Sequence, residues 1–264
     1  MSPTGWGSAL VTGASSGIGA ALCRRLAAQG VDLVLVARDR ERLDKLAAEL
    51  SSDREVEVEV EVLVADLAEA AGRRLAEDRI GDAARPLDLV VNNAGFGTYG
   101  PFATLDVDGE EREIAVNVTA LVRLTHAALV PMVARGRGTV LNVASVAGLQ
   151  ATPGNATYGA TKAFVSSFGE ALAGEVAGTG VTVTTVLPGF TRTEFQQRAG
   201  IAGRKIPGPL WQTAEEVAGE ALDAARAGKP WHVTGRHNQG LVTASALAPR
   251  RLKRWLAARA TQRL

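Results

Sequence analysis

The sequence predicts an α/β fold in which a doubly wound, mostly parallel sheet of seven strands carries helices on both faces. Three observations predict it. Short apolar runs alternate with stretches of helical spacing, in unbroken order from Ala9 to Thr234. A glycine-rich turn, Gly13 to Gly19, follows the first apolar run at once. No Pro/Ser-rich linker divides the chain, so residues 1–248 are expected to form one domain. A closed eight-stranded barrel is the rival, but the opening glycine pattern belongs to an open, Rossmann-like sheet.

Each element has its own signal. Ala9-Leu10-Val11 is apolar and runs into Gly13, which reads as a buried strand entering a tight turn. Ile18 to Gln29 carries Ile18, Leu22 and Leu26 four apart, a helical spacing. Val31 to Ala37 is nearly all apolar and suits a central parallel strand. Asp39 to Leu50 is helical, with Leu43, Leu46 and Leu50 on one side. Val56 to Val64 alternates with glutamates before turning apolar, so its later half is the expected third strand. Leu67 to Ile80 is a third helix, and Leu87 to Val91 a fourth strand ending at Asn92-Asn93-Ala94-Gly95. A long helical region covers Gly109 to Ala134. Thr139 to Val143 is the fifth strand, Tyr158 to Ala177 a helix, and Val181 to Leu187 a sixth strand closed by Pro188-Gly189. Thr213 with Glu216 opens a helix as a capping box. Pro230 to Thr234 is the seventh strand.

Composition narrows the class. The chain has 264 residues, 46% of them apolar, and a formal charge of +1 from 29 basic and 28 acidic residues. That balance exerts no global pull on nucleic acid or anionic membrane. The single cysteine, Cys23, cannot form an intrachain disulfide. No basic run followed by an apolar core stands at Met1 to Leu10, and no stretch approaches about 18 uninterrupted apolar residues. The expected location is cytoplasmic. His126, His232 and His237 lack metal-ligand spacing, so no metal is expected.

The run Thr12-Gly13-Ala14-Ser15-Ser16-Gly17-Ile18-Gly19 joins the first strand to the first helix. Gly13 allows a tight turn, Gly17 lets the backbone approach a pyrophosphate, and Gly19 lets helix and sheet pack closely. The helix N-terminus then offers free N–H groups to the phosphates. An NAD site places an acidic residue after the second strand, but here Ala37-Arg38 stands there. Arg38 can pair with a 2′-phosphate, with Ser15 and Arg42 assisting, which points to NADP(H). Asp66 can accept from the adenine amine, or cap its helix.

Tyr158 and Lys162 are four apart on a helix and share a face. A phenol titrates near pH ~10, and a nearby ammonium favours the phenolate. Tyr158 can then exchange a proton with a carbonyl or alcohol oxygen, and Ser145, just past the fifth strand, can hold that oxygen.

From about Trp6 to Trp231 these motifs resemble the short-chain dehydrogenase/reductase family: the Thr12–Gly19 run, Asp66, Asn92-Asn93-Ala94-Gly95, Asn117, Ser145, Tyr158 with Lys162, and Pro188-Gly189 with Thr193. Among its subgroups the chain looks most like the general ketone, steroid and acyl-chain reductases. The resemblance implies a catalytic tetrad of Asn117, Ser145, Tyr158 and Lys162. Asn117 would hold a helix carbonyl that, with Lys162, binds a proton-relay water. Lys162 would also bind the nicotinamide ribose. Asn92 would tie neighbouring strands together. Leu67, Asn93, Ala94, Gly95, Pro188, Gly189, Thr191 and Thr193 join the glycine run, Arg38, Arg42 and Asp66 as cofactor contacts. Family members transfer the pro-S hydride. The resemblance also implies a homodimer or homotetramer, built from the long helices.

A substrate cover is expected over 195–210, with Phe195, Ile201, Ile206 and Leu210 as apolar groups and Gly203 and Gly208 as hinges. Phe96, Tyr99, Leu149 and Phe190 would add apolar wall, which suits a hydrophobic carbonyl. The resulting expectation is NADPH-dependent reduction of a hydrophobic ketone, aldehyde or 3-oxoacyl-type carbonyl. Two alternatives stay open: an alcohol or hydroxysteroid dehydrogenase running mainly in the oxidative direction, and a non-catalytic cofactor-binding scaffold. Residues 249–264 interleave arginines and Lys253 with Leu252, Trp255, Leu256 and Leu264. They read as a basic amphipathic helix that packs on the domain or a partner subunit, or makes weak peripheral contact with anionic lipid. No motif for specific nucleic-acid binding accompanies these charges.

Overall fold

The computed structural model describes residues 5–52, 56–199 and 208–246; the C-terminal segment 249–264, and Ile201, Gly203 and Ile206 of the expected cover, lie outside them. The strands are β1 (Ser8–Thr12), β2 (Asp32–Ala37), β3 (Val60–Val64), β4 (Leu89–Asn92), β5 (Gly138–Val143), β6 (Val181–Leu187), β7 (Phe190–Arg192), β8 (Trp211–Thr213) and β9 (Trp231–Val233). The helices are α1 (Gly17–Ala27), α2 (Arg40–Leu50), α3 (Ala70–Ile80), α4 (Val107–Ile114), α5 (Leu121–Ala134), α6 (Ala156–Glu175), α7 (Phe195–Arg198), α8 (Ala214–Arg226) and α9 (Arg236–Ala246).

Seven strands form one sheet in the order β3-β2-β1-β4-β5-β6-β9, and every neighbouring pair is parallel. All seven strands expected from the apolar runs are present. Their side chains alternate between two cores: Ala9 and Val11 pack with α1, α2 and α8, while Leu10 packs with α3 and α5 on the opposite face. Burial on both faces explains why these strands read as continuous apolar runs rather than alternating ones. The capping box at Thr213 forms: its hydroxyl accepts from Glu216 N at 3.1 Å, and its N–H donates to the Glu216 carboxylate at 2.8 Å.

Three local features differ from the sequence reading. The long helix is continuous from Val107 to Ala134 but is π-wound over Ala115–Ala120, which puts Asn117 at the widened turn. Such turns cost hydrogen-bond geometry and recur at functional sites. By length and composition alone, its stretch Val107–Ala134 is apolar enough to cross a membrane. Leu121, Leu124, Ala128 and Met132 are nevertheless buried against the sheet, as in a core helix. Finally, β7 and β8 form a small separate parallel sheet beyond Pro188-Gly189. Their residues, Phe190–Arg192 and Trp211–Thr213, are too polar to form an apolar run that would mark a strand in the sequence.

Candidate active site

Strand order reverses between β1 and β4, and a cleft of about 750 Å³ runs across the carboxyl edge of the sheet at that point. Its nucleotide half is made largely of backbone. Gly13 and Gly17 sit at φ +65° and +55°, where only glycine is unstrained. A Cβ on Gly19 would stand 2.2 Å from the Gly13 carbonyl oxygen. Ser15, Ser16, Gly17 and Ile18 line the cleft, and the Ser16 side chain makes no cap bond to α1. The free N–H groups of that helix end are therefore available to an anion.

The β4 loop is clamped to β1. The Thr12 hydroxyl accepts from Asn93 N and Ala94 N, both at 3.0 Å, and Asn93 Nδ2 donates to Thr12 O at 2.9 Å. Asn92 Nδ2 donates to Asn142 and to Thr125, each at 2.9 Å, tying β4 to β5 and α5. Gly95 leaves room at the floor of the cleft: a Cβ there would meet Asn117 Oδ1 at 3.0 Å and Lys162 Nζ at 3.3 Å. These open backbone positions and the uncapped helix end fit a dinucleotide.

Arg38 lines the cleft and is 63% exposed, with Asp66 4.0 Å away. It is placed to meet a phosphate. Arg42 is not brought to the cleft lining; its guanidinium is bonded instead to Glu194 at 2.7 Å. Glu194 enters from the segment after β7, so this competing carboxylate was invisible to a local reading of α2. Asp66 Oδ1 accepts from Ala68 N at 3.0 Å. It caps a turn rather than the helix, because α3 starts later with Glu69 at its N-cap position. Asp66 Oδ2 is held by Arg112 of α4. Leu67 is buried and lines the cleft.

The chemical half gathers the four expected side chains. Ser145 lies two residues past β5 and caps the short turn Val146–Leu149, accepting from Ala147 N at 3.1 Å. Its hydroxyl donates to Pro188 O at 3.4 Å and acts to lower the Tyr158 phenol. Tyr158 lies in the first turn of α6 and Lys162 one turn later. Lys162 is buried, donates to Val143 O at 2.8 Å, and stands 5.8 Å from the Tyr158 ring centroid. Asn117 is buried at the π turn. Its amide donates to Phe96 O at 2.9 Å and to the Thr161 hydroxyl at 3.0 Å, and accepts from Phe96 N at 3.1 Å. It thus locks the β4 loop to α6 one residue before Lys162.

The electrostatics differ from the simple tyrosine–lysine expectation. Burial pushes the Tyr158 phenol up to about 12, against a lowering by the Ser145 hydrogen bond, and the Glu113 charge adds to the rise. Burial pulls Lys162 down to about 8, with Glu113 opposing. The expected lowering of the phenol by the ammonium is absent. Lys162 points its proton at the Val143 carbonyl, and loss of water dominates both groups. Tyr158 is held as a neutral phenol, the form that can donate a proton.

Pro188, Gly189, Thr191 and Thr193 line the cleft as expected. Gln196, which local reasoning missed, braces them by donating to Thr191 O at 2.6 Å and accepting from Thr193 N at 3.3 Å. Phe96, Tyr99, Phe190 and Phe195 form apolar wall, and the Phe195 ring lies 5.3 Å from that of Tyr158. Leu149 is not in the lining and is 38% exposed. Gly97 was also missed: a Cβ there would stand 2.7 Å from Tyr158 Cδ2. Two buried acids, Glu110 and Glu113, lie behind the site. Their spacing of three from each other and of four to Asn117 was the available sequence signal. Among the described residues no group of His, Cys, Asp or Glu could hold a metal. Cys23 is buried and its thiol is pushed up by burial.

Comparison with known proteins agrees with this geometry. A family profile described as short chain dehydrogenase matches residues 8–202. Sulfoacetaldehyde reductase 2 of Chromohalobacter salexigens is 41% identical over 189 residues, which cover 70% of this chain and 73% of that protein. A short-chain dehydrogenase from Sphingobium yanoikuyae, solved in complex with NADPH, is 41% identical with a TM-score of 0.79, covering 86% of both chains. The bulky-bulky ketone specific alcohol dehydrogenase from Comamonas testosteroni is 30% identical with a TM-score of 0.77, covering 92% of this chain and 93% of that one.

Proposed function

The chain belongs to the short-chain dehydrogenase family, and from that premise we propose that it reduces a hydrophobic ketone, aldehyde or 3-oxoacyl-type carbonyl with NADPH. The general activity is that of an NADP(H)-dependent oxidoreductase of carbonyl and alcohol groups. The observation that carries the finer reading is the meeting of a neutral, buried Tyr158 with Ser145 and Lys162 under an aromatic wall.

When bound, NADPH supplies the hydride to the carbonyl carbon. The chain's own part is to hold and protonate the oxygen. Ser145 positions that oxygen beside the phenol. Tyr158 gives its hydroxyl proton to the developing alkoxide and is left as a phenolate. Lys162 stabilises that phenolate, lowers the cost of forming it, and binds the cofactor ribose. Asn117 holds the loop carrying Gly95 and Phe96 against α6 and supports reprotonation of Tyr158 from solvent. Arg38 pairs with the 2′-phosphate, and the helix end at Gly17 takes the pyrophosphate. Phe96, Tyr99, Phe190 and Phe195 give the substrate its apolar enclosure. The exposed Val130, Val133 and Phe164 of α5 and α6 are the surfaces through which the chain would form its homo-oligomer. Residues 1–248 act as the catalytic domain of a cytoplasmic protein.

A panel of carbonyls, from small polar aldehydes to bulky ketones and 3-oxoacyl thioesters, followed by loss of NADPH absorbance, tests the proposal. Higher kcat/KM for the apolar members is expected. Turnover confined to small polar aldehydes, or of none of the panel, would overturn it.

A further inference from the structure

Two carboxylic acids are buried on α4 where it packs against α6, the helix of the tyrosine–lysine pair, and the reaction as derived above uses neither. Glu113 is fully buried and Glu110 is 4% exposed. Placing a carboxylate out of water is costly unless hydrogen bonds and countercharge compensate it. A packing role would be better filled by an apolar residue of similar size.

Their partners form a short chain of contacts. Thr98 N donates to Glu113 Oε2 at 2.8 Å, and the Thr98 hydroxyl lies 3.0 Å from the same oxygen. That hydroxyl also contacts Glu110 Oε1, and the Thr157 hydroxyl donates to Glu110 Oε2. Thr157 immediately precedes Tyr158. The Thr98 hydroxyl has one proton and can donate to only one of the two carboxyls. For both contacts to be hydrogen bonds, the other carboxyl must carry a proton itself.

The Glu113 Oε1 atom is buried without a hydrogen-bond partner among the described residues. The titratable groups that face Glu113 are Glu110 from its own helix, and Tyr158 and Lys162 from α6. Lys162 is the cation among them. Desolvation pushes Glu113 up to about 7, against the two Thr98 bonds and the pull of Lys162, with Glu110 adding to the rise. Lys162, drawn down to about 8 by its own burial, is held up by Glu113. The proton on Glu113 thus leaves just below the range in which Lys162 would lose its own.

We propose that Glu113, seated on Thr98, is a positioning residue for the Tyr158–Lys162 pair: its buried carboxylate is the countercharge that keeps Lys162 an ammonium out of water and so sets the upper pH limit of turnover. The proposal rests on the catalytic reading of Tyr158 and Lys162 given above. As pH rises through neutrality, Glu113 ionises and strengthens the hold of Lys162 on its proton. Without Glu113, Lys162 becomes a neutral amine at lower pH and no longer stabilises the phenolate.

The test uses the full chain without cofactor. Its lysines are Lys45, Lys162, Lys205, Lys229 and Lys253, so ¹⁵N-lysine labelling gives a short spectrum in which Lys162→Arg identifies the Lys162 resonance. Glu113→Gln keeps the shape and an acceptor for Thr98 N but removes the charge. It should lower the Lys162 midpoint enough to weaken proton affinity at least about threefold, and move the alkaline limb of kcat/KM down in step. Glu110→Gln should not lower that midpoint. Thr98→Val, a gentler change that removes one donor to the carboxylate, should shift Lys162 in the same direction by less, and it keeps the test decisive if Glu113→Gln does not fold. An unmoved Lys162 midpoint in Glu113→Gln and Thr98→Val, or an equal drop in Glu110→Gln, would overturn the proposal. Failure of the catalytic reading is distinguished separately: Tyr158→Phe would then turn over normally, while the lysine titration would still report on Glu113.

Discussion

The two halves of the cleft are built by different means. The nucleotide half is shaped by backbone: Gly13 and Gly17 at positive φ, Gly19 against the Gly13 carbonyl, and the Asn93–Gly95 loop clamped by Thr12. The substrate half is shaped by side chains carried on short elements, with Phe190 on a three-residue strand and Phe195 on a four-residue helix. A backbone site admits few sequences, because a Cβ on Gly19 collides with main chain that cannot move aside. An aromatic wall tolerates exchange at modest cost. The first half should therefore be brittle, and the second should tune specificity without loss of fold.

Gly19→Ala gives the largest expected break. With no room beside Gly13 O and Asn93 Nδ2, the overpacking should cost about 1–3 kcal/mol or more and weaken NADPH binding strongly. Urea unfolding and a fluorescence titration with NADPH measure the two effects, and an unaltered affinity would contradict the backbone account. Arg38→Ala should act at the same end through charge alone. A charge-assisted hydrogen bond contributes roughly 1.5–3 kcal/mol, so the preference for NADPH over NADH should fall at least several-fold. Equal weakening of the two dissociation constants would remove Arg38 from the phosphate.

On the substrate side, Phe195→Ala removes the ring that lies tilted against Tyr158. Aromatic pairs contribute about 0.5–1.5 kcal/mol beyond their burial. The KM for a bulky ketone should rise roughly threefold to tenfold while the NADPH dissociation constant stays put; a change confined to the cofactor would reverse the assignment of Phe195. The floor shared by both halves carries a pH signature. Glu113 binds its proton more tightly folded than unfolded, rising from 4.5 to about 7. Its contribution to stability is thus complete below about pH 4.5 and is lost as pH rises to about 7. Glu113→Gln should flatten that part of the stability–pH curve, as read by denaturant midpoints across the window. The smallest effect belongs to Arg42→Ala. Because Glu194 already holds that guanidinium, NADPH affinity should change by less than about twofold, as for exposed ion pairs generally. A larger loss would return Arg42 to the phosphate site.

The same contrast explains what could be read from sequence. The seven strands, the glycine turn and the Tyr158–Lys162 spacing were legible because each is a local pattern imposed by backbone geometry or helix period. Their placement on one sheet edge followed from parallel topology. What escaped was set by contacts between distant segments. Glu194 reaches Arg42 from 152 residues further along the chain, Arg112 takes the Asp66 carboxylate, and Leu149 turns away from the pocket. The rise of the Tyr158 phenol depended on burial, which a four-residue spacing does not encode. The π turn at Asn117 left no mark in the hydrophobic period, and the burial of Glu110 and Glu113 is set by segments outside their helix, with Thr98 and Thr157 among them.

In the proposed mechanism the Tyr158 hydroxyl gives the proton that completes carbonyl reduction. Single-turnover reduction of a bulky ketone by Tyr158→Phe, with NADPH binding measured on the same sample, tests it most directly. The variant loses one hydroxyl and should bind NADPH nearly as the wild type does, while the rate falls by about 100-fold or more. Normal turnover by this variant, with NADPH bound, would contradict the claim.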